Sequence, residues 1–456
     1  MNFLGIPIEI KNLPPLDPGF IPLGAFVKGF LSTAKKPIAI AMYRNDGLVS
    51  VYKTKVHGTP GMADADKYYI ERLVKFLLWQ KGGAEVVIYG DKTLADFASG
   101  VYGADGNFDA EMMSRIYERE FTIRAGDIED IPAENERPIR IGGQMDGCRI
   151  GFDAGGSDRK VSAVIDGSAV YSEEVVWHPK TNADPAYHYD GILSAFRTAA
   201  SFMPRVDAIG VSSAGAYVGN RTMAASLFLS VPKELFDSHV KDIYIRAAKA
   251  IGDVPLVVAN DGDVTALAGA MELKENNILG IAMGTSQAGG YIDGDGNITG
   301  WLNELAFVPV DCQPDAMVDE WSGDKGCGVK YFSQDGVIKL APRAGIALDE
   351  NASPAEKLKT VQALTEKGDA GAKQIFESIG VYLAHTLPLY AMFYDMKHVL
   401  LLGRVMSGDG GAAIVDTAKR VLAEEYPGLD LNLHLPDENS RRVGQSVAAA
   451  SLPAVE

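Results

Sequence analysis

Residues 254–292 read VPLVVANDGDVTALAGAMELKENNILGIAMGTSQAGGYI, and the rest of the chain is organised around this stretch. Residues 255–259 and 278–283 are short apolar runs of the kind that form buried strands. Residues 264–271 have the pattern of a helix between them. Asp261 follows the first run at its carboxyl end, where open α/β sheets place the groups that contact ligands. The stretch therefore predicts a ligand site that contains Asp261.

A second ligand signal follows the second strand of this stretch. It consists of small residues that let the backbone turn tightly: Gly284, Thr285, Ser286, Gly289 and Gly290. The N–H groups of such a turn can point outward and bind a phosphate. A carboxylate beside a phosphate cradle suggests phosphoryl transfer to an acceptor held against Asp261. The plainer alternative makes Asp261 a helix-capping residue and the glycines an ordinary hairpin.

The helix of this stretch needs a polar residue at its start to accept a hydrogen bond from its first N–H groups. Two side chains close to the expected start are suitable, and we expect Asp263 or Thr265 to provide this cap.

The composition is that of an acidic globular protein. Its 456 residues allow two or three domains, and 47% apolar residues are ordinary for a soluble enzyme. A net charge of −17 argues against a general nucleic-acid surface. No apolar run is long enough to span a bilayer, and the N-terminus lacks the pattern of a signal peptide. Cys148, Cys312 and Cys327 are widely spaced, which indicates a reducing cytoplasm.

Residues 1–145 are expected to form an additional small α/β domain with a linker. The β-rich runs 37–43 and 48–55 flank Asn45-Asp46-Gly47, and Asp-Gly in that position is a strong hairpin signal. Alternating helix and strand patterns follow the hairpin.

The two ends of this N-terminal region have a different composition. Residues 1–30 are rich in Pro and Gly and predict an extended arm. Residues 128–140 contain two prolines and many charges, which predicts the linker. The region could act as a substrate lid or a dimerisation module, but we favour a structural extension.

A second glycine turn lies at the start of the larger region. Residues 149–177 read as strand, turn, strand, turn and strand, and the first turn contains Asp153, Gly155, Gly156 and Ser157. Its backbone amides and the Ser157 hydroxyl could bind a γ-phosphate, with Asp153 orienting Mg²⁺ through water. A plain meander is the alternative.

Two further loops have the composition of ligand contacts. Residues 212–220, SSAGAYVGN, follow a predicted strand and are small and polar, and they include Ser213. Near the C-terminus, a strand at 398–403 leads into a loop with Gly403 and Gly408 and then a helix. A strand, a glycine loop and a helix amino terminus could seat the adenosine part of a nucleotide.

Five motifs occur in one order along the chain: DAGGS, AIGV, ANDGD, GTSQAGG and LLGRVMSGDGG. This order resembles the actin-like ATPase and sugar-kinase superfamily, and most closely the ROK family of repressors and sugar kinases. The resemblance runs from about residue 149 to the C-terminus. It implies a kinase region at 146–456 made of two RNase-H-like lobes, about 146–260 and 261–456, with a ligand cleft between them.

The resemblance also implies roles for individual residues. Asp261 matches the general base, and Asn260 and Glu304 match sugar-binding residues. The first phosphate motif falls on Asp153, Gly155, Gly156 and Ser157, and the second on Gly284, Thr285, Gly289 and Gly290. Ser286, which we also expect to contact the nucleotide, and Ala288 stand where the family usually has glycine. Ser213 lies in the loop that we expect to face the substrate.

The sequence departs from the family pattern at its zinc site. The zinc-binding histidine falls on Phe307, and the three cysteines fall on Glu320, Ser322 and Cys327. One thiolate without an imidazole cannot form the usual tetrahedral site, so we predict no structural zinc.

Without the metal, the loop around Trp321 must be held in another way. We expect packing, or salt bridges from Asp319, Glu320 and Lys325. A second sugar-binding glutamate falls on Val329, so the acceptor need not be glucose.

The main hypothesis is an ATP- and Mg²⁺-dependent carbohydrate kinase with Asp261 as general base. The first rival is a binding protein that senses a sugar or nucleotide, and the second is an actin- or chaperone-like ATPase. The expected partners are a sugar, ATP and a second copy in a homodimer, with no nucleic acid and no membrane.

Overall fold

The computed structural model describes residues 1–138, 144–436 and 438–455. Its strands form three larger sheets, one in the N-terminal domain and one in each of two lobes.

The N-terminal domain is an α/β unit built on a four-stranded sheet. Its elements are β1 (Asn2–Phe3), β2 (Ile6–Pro7), α1 (Leu23–Thr33), β3 (Lys36–Tyr43), β4 (Val49–Val56), α2 (Ala63–Lys81), β5 (Glu85–Tyr89), α3 (Lys92–Tyr102), α4 (Phe108–Tyr117) and β6 (Thr122–Gly126). The sheet has the strand order β4-β3-β5-β6. The predicted hairpin is confirmed, because β3 and β4 pair antiparallel across the turn at Asn45–Gly47.

The extended arm predicted for residues 1–30 is wrong for its second half. Helix α1 buries Phe26 and Phe30 and lies against a helix more than 340 residues further along the chain. Pro22 precedes this helix, and Gly24 and Gly29 lie inside the helix. This composition locally favours a loop. Glycines fit here because this helix approaches its neighbours closely: a Cβ on Gly24 would lie 3.2 Å from the backbone oxygen of His385.

The predicted linker is docked in its first part. Asn135 exchanges backbone hydrogen bonds with Val49, and Glu136 pairs with the buried side chain of Arg44. Residues 139 and 140 of the predicted linker lie outside the described residues.

The first lobe is a five-stranded sheet with order β13-β10-β7-β8-β9, the arrangement of an RNase-H-like lobe. Its elements are β7 (Cys148–Ala154), β8 (Asp158–Ile165), β9 (Ser168–Val176), α5 (Pro185–Ala200), β10 (Ala208–Ser213), β11 (Ala216–Val218), β12 (Arg221–Ala224), α6 (Lys233–Leu235), α7 (Ile243–Lys249) and β13 (Leu256–Asn260). Strands β7, β10 and β13 are parallel, so their carboxyl ends meet at one edge.

The second lobe has the sheet order β15-β14-β16-β17. Its elements are α8 (Asp261–Leu273), β14 (Ile278–Met283), β15 (Gln287–Ile292), α9 (Gln334–Leu340), α10 (Pro354–Glu366), α11 (Ala370–Tyr390), β16 (His398–Leu402), α12 (Gly408–Glu425), β17 (Asn432–His434) and α13 (Glu438–Ala450).

The position of the last helix differs from the expected division of the chain into lobes at about residues 146–260 and 261–456. Helix α13 lies on β7 and β10 of the first lobe, where Gly151 and Gly210 let its backbone approach the sheet. A Cβ on either glycine would come within 1.7 Å of a carbonyl oxygen of α13. The close contact returns the end of the chain to the first lobe.

One hydrophobic core joins the N-terminal domain to the second lobe. It runs without a break from residues of α1, α2 and β5 to residues of β14, α11 and β16. Helix α11 is buried along nearly its whole length, so its apolar residues belong to this core. In the part of the chain that the structure describes, no helix is long and apolar enough to cross a membrane.

Candidate active site

The centre of the site is the edge where three parallel strands end. Asp153 on β7 lies beside Ser212 on β10, and Ser213 lies beside Asn260 on β13. The Ser212 hydroxyl donates a hydrogen bond to a carboxylate oxygen of Asp153 at 2.9 Å. Asp153 is thereby held by one oxygen, while its second oxygen is left for a ligand.

Asp261 is the first residue of α8 and follows β13 directly. The prediction that Asp263 or Thr265 caps this helix is wrong. Asn260 is the cap, because its side-chain oxygen accepts a hydrogen bond from the N–H of Gly262 at 2.8 Å. Three polar residues near a helix start are equally suitable by type, and only the turn geometry selects one.

Glycine contacts bring this helix start against the second sheet. A Cβ on Gly262 would lie 2.1 Å from the carbonyl oxygen of Gly289, and a Cβ on Gly290 would lie 2.1 Å from that of Gly262. Gly289 and Gly290 therefore belong to strand β15, not to a phosphate turn as predicted. Their role is to let the two backbones touch, which places Asp261 between the two sheets.

The acids of the cleft perturb one another. Burial raises the pKa of Asp153 to about 6, and the charge of Asp261 adds to the rise. Burial also raises the pKa of Asp261. Burial and the charges of Asp261 and Asp263 raise the pKa of Glu304 to about 8. The three predicted acids therefore lie close enough to interact, and a cluster of perturbed carboxyl groups in a cleft is typical of a functional site.

The first predicted phosphate turn connects β7 with β8. Gly156 and Ser157 are exposed in this turn, and Gly155 is partly exposed. Trp177 fixes the turn, since its backbone N–H donates to the oxygen of Ser157 and its ring N–H donates to the oxygen of Gly155 at 2.8 Å. The turn is thus rigidly held while its solvent side is open.

The second predicted phosphate turn connects β14 with β15. Thr285 and Ser286 are exposed, and the N–H of Gly284 donates to the oxygen of Ser286 at 2.9 Å. Gly403 lies next to this turn, because a Cβ there would be 2.3 Å from the carbonyl oxygen of Met283.

A cavity of about 570 Å³ lies beside Gly403. Its walls come from α8, the ends of β14 and β16, the following loop and α13: Thr265, Ala268, Gly269, Glu272, Ala282, Leu400, Leu402, Gly403, Arg404, Ser407, Pro436, Gly444 and Gln445. The predicted Gly408 follows Ser407, just past this lining, in a left-handed conformation at the start of α12. The volume lies in the range of small-molecule sites.

Two of the predicted substrate residues are engaged by the protein. Asn260 donates one amide hydrogen to the oxygen of Gly215 at 2.8 Å, which leaves its second hydrogen for a ligand. Ser213 is fully buried, and its hydroxyl oxygen accepts hydrogen bonds from Tyr217 and Tyr244. Ser213 therefore lies beneath the cleft wall and supports Tyr217, which differs from the expected direct contact.

Glu304 has a different environment. Its carboxylate has no hydrogen-bond partner among the residues that the structure describes, while its backbone N–H donates to the oxygen of Trp79 in the N-terminal domain at 2.9 Å. The preceding Asn303 is buried and bonds to Asp263 and Tyr394. A partly buried carboxyl group that has no hydrogen-bond partner among the described residues, on a backbone held from both sides, is suited to bind a hydroxyl.

Asp263, which we considered from the sequence only as a helix cap, lies close to the site and supports it. It accepts hydrogen bonds from the backbone N–H of Tyr291 and from the Asn303 amide. Burial raises its pKa to about 7. Its position two residues after Asp261 was visible, but only the fold shows that it orients the Glu304 loop.

The loop where the family pattern places zinc is held by side chains. Phe307 packs on Trp79 and Phe108 of the N-terminal domain, with ring centres 4.3 and 5.3 Å apart, and on Trp321. Burial raises the pKa of the Cys327 thiol well above its usual range. No group of three or more potential ligands for a metal ion occurs in the described ranges.

Salt bridges hold this loop as well, but mainly through a residue that we did not predict. Asp324 pairs with Arg72 at 3.0 Å and with Lys75 at 3.1 Å. Of the predicted residues, Glu320 pairs with Lys330. Asp319 accepts a hydrogen bond from the N–H of Ser322, and Lys325 donates to the oxygen of Pro314.

Lys180 is another group that sequence reasoning missed. It lies in the turn after β9, and a Cβ on Gly156 would be 3.2 Å from its ammonium nitrogen. A single lysine in a polar loop has no spacing that distinguishes it from surface lysines.

The fold and site define a two-lobed α/β protein of the actin type, with carboxylates at the strand ends and glycine turns around a cleft. Comparison with protein families matches residues 149–444, described as the ROK family. Because the match covers more than half of the chain, this protein belongs to the ROK family. No curated protein matches its sequence.

Solved structures of the same fold extend this result. A ROK hexokinase from Thermus thermophilus has a TM-score of 0.53 at 17% identity over 67% of this chain and 97% of its own. A ROK family glucokinase from Streptomyces griseus, in complex with glucose and AMPPNP, has a TM-score of 0.50 at 20% identity. The match covers 67% of this chain and 99% of the glucokinase. A ROK family transcriptional regulator, a homolog of the E. coli MLC protein, has a TM-score of 0.51 at 16% identity. The match covers 68% of this chain and 79% of the regulator. These likenesses establish the fold, and they include both kinases and a regulator.

Proposed function

We propose that this protein transfers the γ-phosphoryl group of ATP to a hydroxyl of a sugar or sugar derivative, with Asp261 as general base. The observation that carries the proposal is the position of Asp261 between the two sheets. Its carboxylate is held at a helix start beside Asp153 and Glu304, and burial raises its pKa toward the range of a useful base.

The reaction needs one proton acceptor and one aligned phosphate. The sugar hydroxyl oxygen forms a bond to the γ-phosphorus, and the bond from that phosphorus to the β–γ bridging oxygen breaks. Asp261 takes the hydroxyl proton, and ADP leaves with the electron pair of the broken bond. Most of the catalysis in such a transfer comes from positioning and electrostatic stabilisation.

The turn at Gly155, Gly156 and Ser157 would hold one side of the phosphates, and the turn at 284–286 would hold the other. Both turns are exposed, and both adjoin strands whose ends meet Asp261. Backbone N–H groups in such turns bind anions without adding positive side chains. This suits an acidic chain with a net charge of −17.

The carboxylates present are compatible with Mg²⁺. Among the described residues, one oxygen of Asp153 has no hydrogen-bond partner, and the charges of Asp261 and Asp158 add to the rise in its pKa that burial causes. A divalent cation would relieve this repulsion and offset the charge of the transferred phosphate. Mg²⁺ is usually bound by one or two carboxylates together with waters and phosphates, so three protein ligands are not required.

The acceptor would lie against Asn260 and Glu304. The free amide hydrogen of Asn260 and the unpartnered carboxyl group of Glu304 are suited to adjacent hydroxyls. Val329 is a buried apolar residue where the family resemblance implies a second glutamate. The acceptor should therefore differ from glucose at one hydroxyl, or carry an apolar substituent there.

The cavity beside Gly403 would take the adenosine. Its walls include apolar side chains such as Leu400 and Leu402 and the guanidinium of Arg404 at its edge. Apolar walls with a few polar groups are the usual lining of a nucleotide-base site. The structure of the glucokinase with AMPPNP supports ATP as the donor.

The test uses the full chain with ATP, Mg²⁺ and a panel of hexoses, N-acetylhexosamines and polyols, and measures sugar-dependent formation of ADP. We expect one chemical class to be phosphorylated. If no member of the panel gives ADP above the sugar-free rate, while sugars still raise the melting temperature, the kinase proposal fails in favour of a sensor.

That sensor is the second candidate, a binding protein that does not turn over. Two observations favour it: Val329 in place of a glutamate, and the similarity in fold to a transcriptional regulator. A pure sensor has no need of a base, so the retained Asp261 argues for the kinase. A cytoplasmic location and a homodimer remain predictions, and light scattering of the purified protein checks the second.

A further inference from the structure

Lys180 lies over the first phosphate turn, on the short turn Pro179–Thr181 between β9 and α5. A Cβ on Gly156 would be 2.9 Å from Cε of Lys180 and 3.2 Å from its ammonium nitrogen. The aliphatic end of the side chain thus occupies the space that the glycine leaves open. The ammonium group lies beside the turn and is also exposed to solvent.

The backbone that carries Lys180 is firmly anchored. The hydroxyl of Ser230 donates to the carbonyl oxygen of Lys180 at 2.5 Å, and a ring nitrogen of His188 lies 2.9 Å from the oxygen of Pro179. His188 is fully buried. The adjacent Trp177 bonds to Gly155 and Ser157. Lys180 and the phosphate turn therefore form one rigid unit.

Lys180 places a positive charge beside the first phosphate turn. Its Coulomb interaction reaches Asp261, whose pKa it lowers against the larger effect of burial. Lys180 forms no ion pair within the described part of the chain. By contrast, the nearby Lys160 is paired with Asp158 at 3.4 Å. An exposed ammonium group between a glycine turn and a carboxylate is available to a ligand that carries negative charge.

We propose that Lys180 binds the terminal phosphate of ATP and, together with the first glycine turn, holds it in place for transfer to the hydroxyl beside Asp261. This inference rests on the proposed function and adds a charged contact to it. Lys180 keeps its proton throughout, and its hydrogen bonds to the transferred phosphoryl group strengthen as charge spreads over the oxygens in the transition state. In addition, its charge favours the ionised form of Asp261, which is the form that accepts the hydroxyl proton.

The nucleotides AMPPNP and ADP distinguish this contact from a general effect, because only the first has a third phosphate. Their dissociation constants are measured with Mg²⁺ by calorimetry for the wild type, Lys180→Met and Lys180→Arg. Lys249→Met is the matched control, since Lys249 is an exposed lysine of the same lobe at the end of α7. A melting curve of each variant verifies folding.

We expect Lys180→Met to weaken AMPPNP by about 10- to 100-fold, as for loss of a charge-assisted hydrogen bond, and ADP by less than about threefold. Lys180→Arg should keep part of the difference, and Lys249→Met should change neither constant. In sugar phosphorylation, Lys180→Met should lower kcat and move the acidic limb of its pH profile upward, because Asp261 loses a neighbouring positive charge.

Equal weakening of AMPPNP and ADP, or no weakening of either, overturns the assignment of Lys180. A wild type that binds AMPPNP but phosphorylates no sugar overturns the kinase proposal alone, because the comparison of nucleotides still reports on Lys180. A wild type that binds neither nucleotide overturns both.

Discussion

The N-terminal domain contacts the second lobe through buried rings and buried charges, whereas its contact with the first lobe combines exposed charges with an apolar contact of α4 to β11 and β12. On the second-lobe side Phe76 stacks on Phe393 with ring centres 3.9 Å apart, and Lys75 pairs with Asp324 although only 2% of its side chain is exposed. On the first-lobe side Glu118 pairs with Arg221 at 2.7 Å, and these side chains are 43% and 38% exposed.

The two contacts differ greatly in strength. Exposed ion pairs contribute about 0–1 kcal/mol, whereas removal of one partner from a buried pair costs about 3–5 kcal/mol. The N-terminal domain therefore shares its core mainly with the second lobe, while Ala216 and Met223 of the first lobe also belong to that core and the exposed ion pairs add little. The contact with the second lobe also holds Phe307 and the backbone of Glu304, so the loop where the family pattern places zinc is packed against the N-terminal domain.

The largest predicted effect comes from removal of the N-terminal domain. A chain that starts at Gln144 exposes Phe307, Phe393 and the surface of α11, because these groups belong to the shared core. We expect it to aggregate or to lack a cooperative melting transition by circular dichroism. A folded, soluble product with a cooperative transition contradicts the continuous core.

The shared core explains why part of the fold could not be predicted from the sequence. The hairpin, and the succession of strands along the chain in each lobe, follow from local patterns such as Asp46-Gly47 and the apolar run before Asp261. Helix α1 was missed because its partners lie in α11, and local composition alone favours a loop there. Contacts over such distances decide elements whose own propensity is weak.

Prediction of the site from the sequence was limited in the same way. The positions of Asp153, Asp261 and Glu304 were predicted, and the structure brings them together. Gly289 and Gly290 were assigned to a phosphate turn because a glycine pair looks the same in a turn and in a close backbone contact. Only the approach of α8 separates the two cases.

Asp324→Asn tests the buried side of the comparison directly. The charges of Arg72 and Lys75 outweigh burial and lower the pKa of Asp324 to about 2, so the loss of its charge leaves two cations without their shared partner. We expect a loss of about 3 kcal/mol in the free energy of unfolding, measured by denaturant titration.

Asp315→Asn is the matched control for this variant, because Asp315 is exposed before the same loop. It should leave stability within about 0.5 kcal/mol of the wild type. An Asp324→Asn variant as stable as this control shows that the loop does not depend on the N-terminal domain.

Glu304→Gln gives a pH-dependent effect of intermediate size. Because the pKa of Glu304 is raised to about 8, its contribution to stability is complete below its ordinary pKa and is lost as pH rises through about 8. Relative to the variant, the ligand-free wild type should lose on the order of 1 kcal/mol between about pH 5 and about pH 9. A difference in melting temperature that is constant over this range shows that Glu304 is not buried among acids.

Glu118→Gln should have the smallest effect on stability. It tests the exposed ion pairs between the N-terminal domain and the first lobe. It removes the ion pairs to Arg221 and Lys241, and we expect a loss of at most about 1 kcal/mol that disappears in high salt. Denaturant titrations at low and high ionic strength measure this. A loss as large as that of Asp324→Asn means that both lobes are bound to the domain equally.

The most direct test of the account is the rate of sugar phosphorylation by Asp261→Asn, measured beside its affinity for AMPPNP. The account predicts that the nucleotide still binds while kcat falls by about 10²- to 10⁴-fold, since a positioned base contributes about that much. A variant that binds AMPPNP and phosphorylates its sugar at the wild-type rate contradicts Asp261 as the general base.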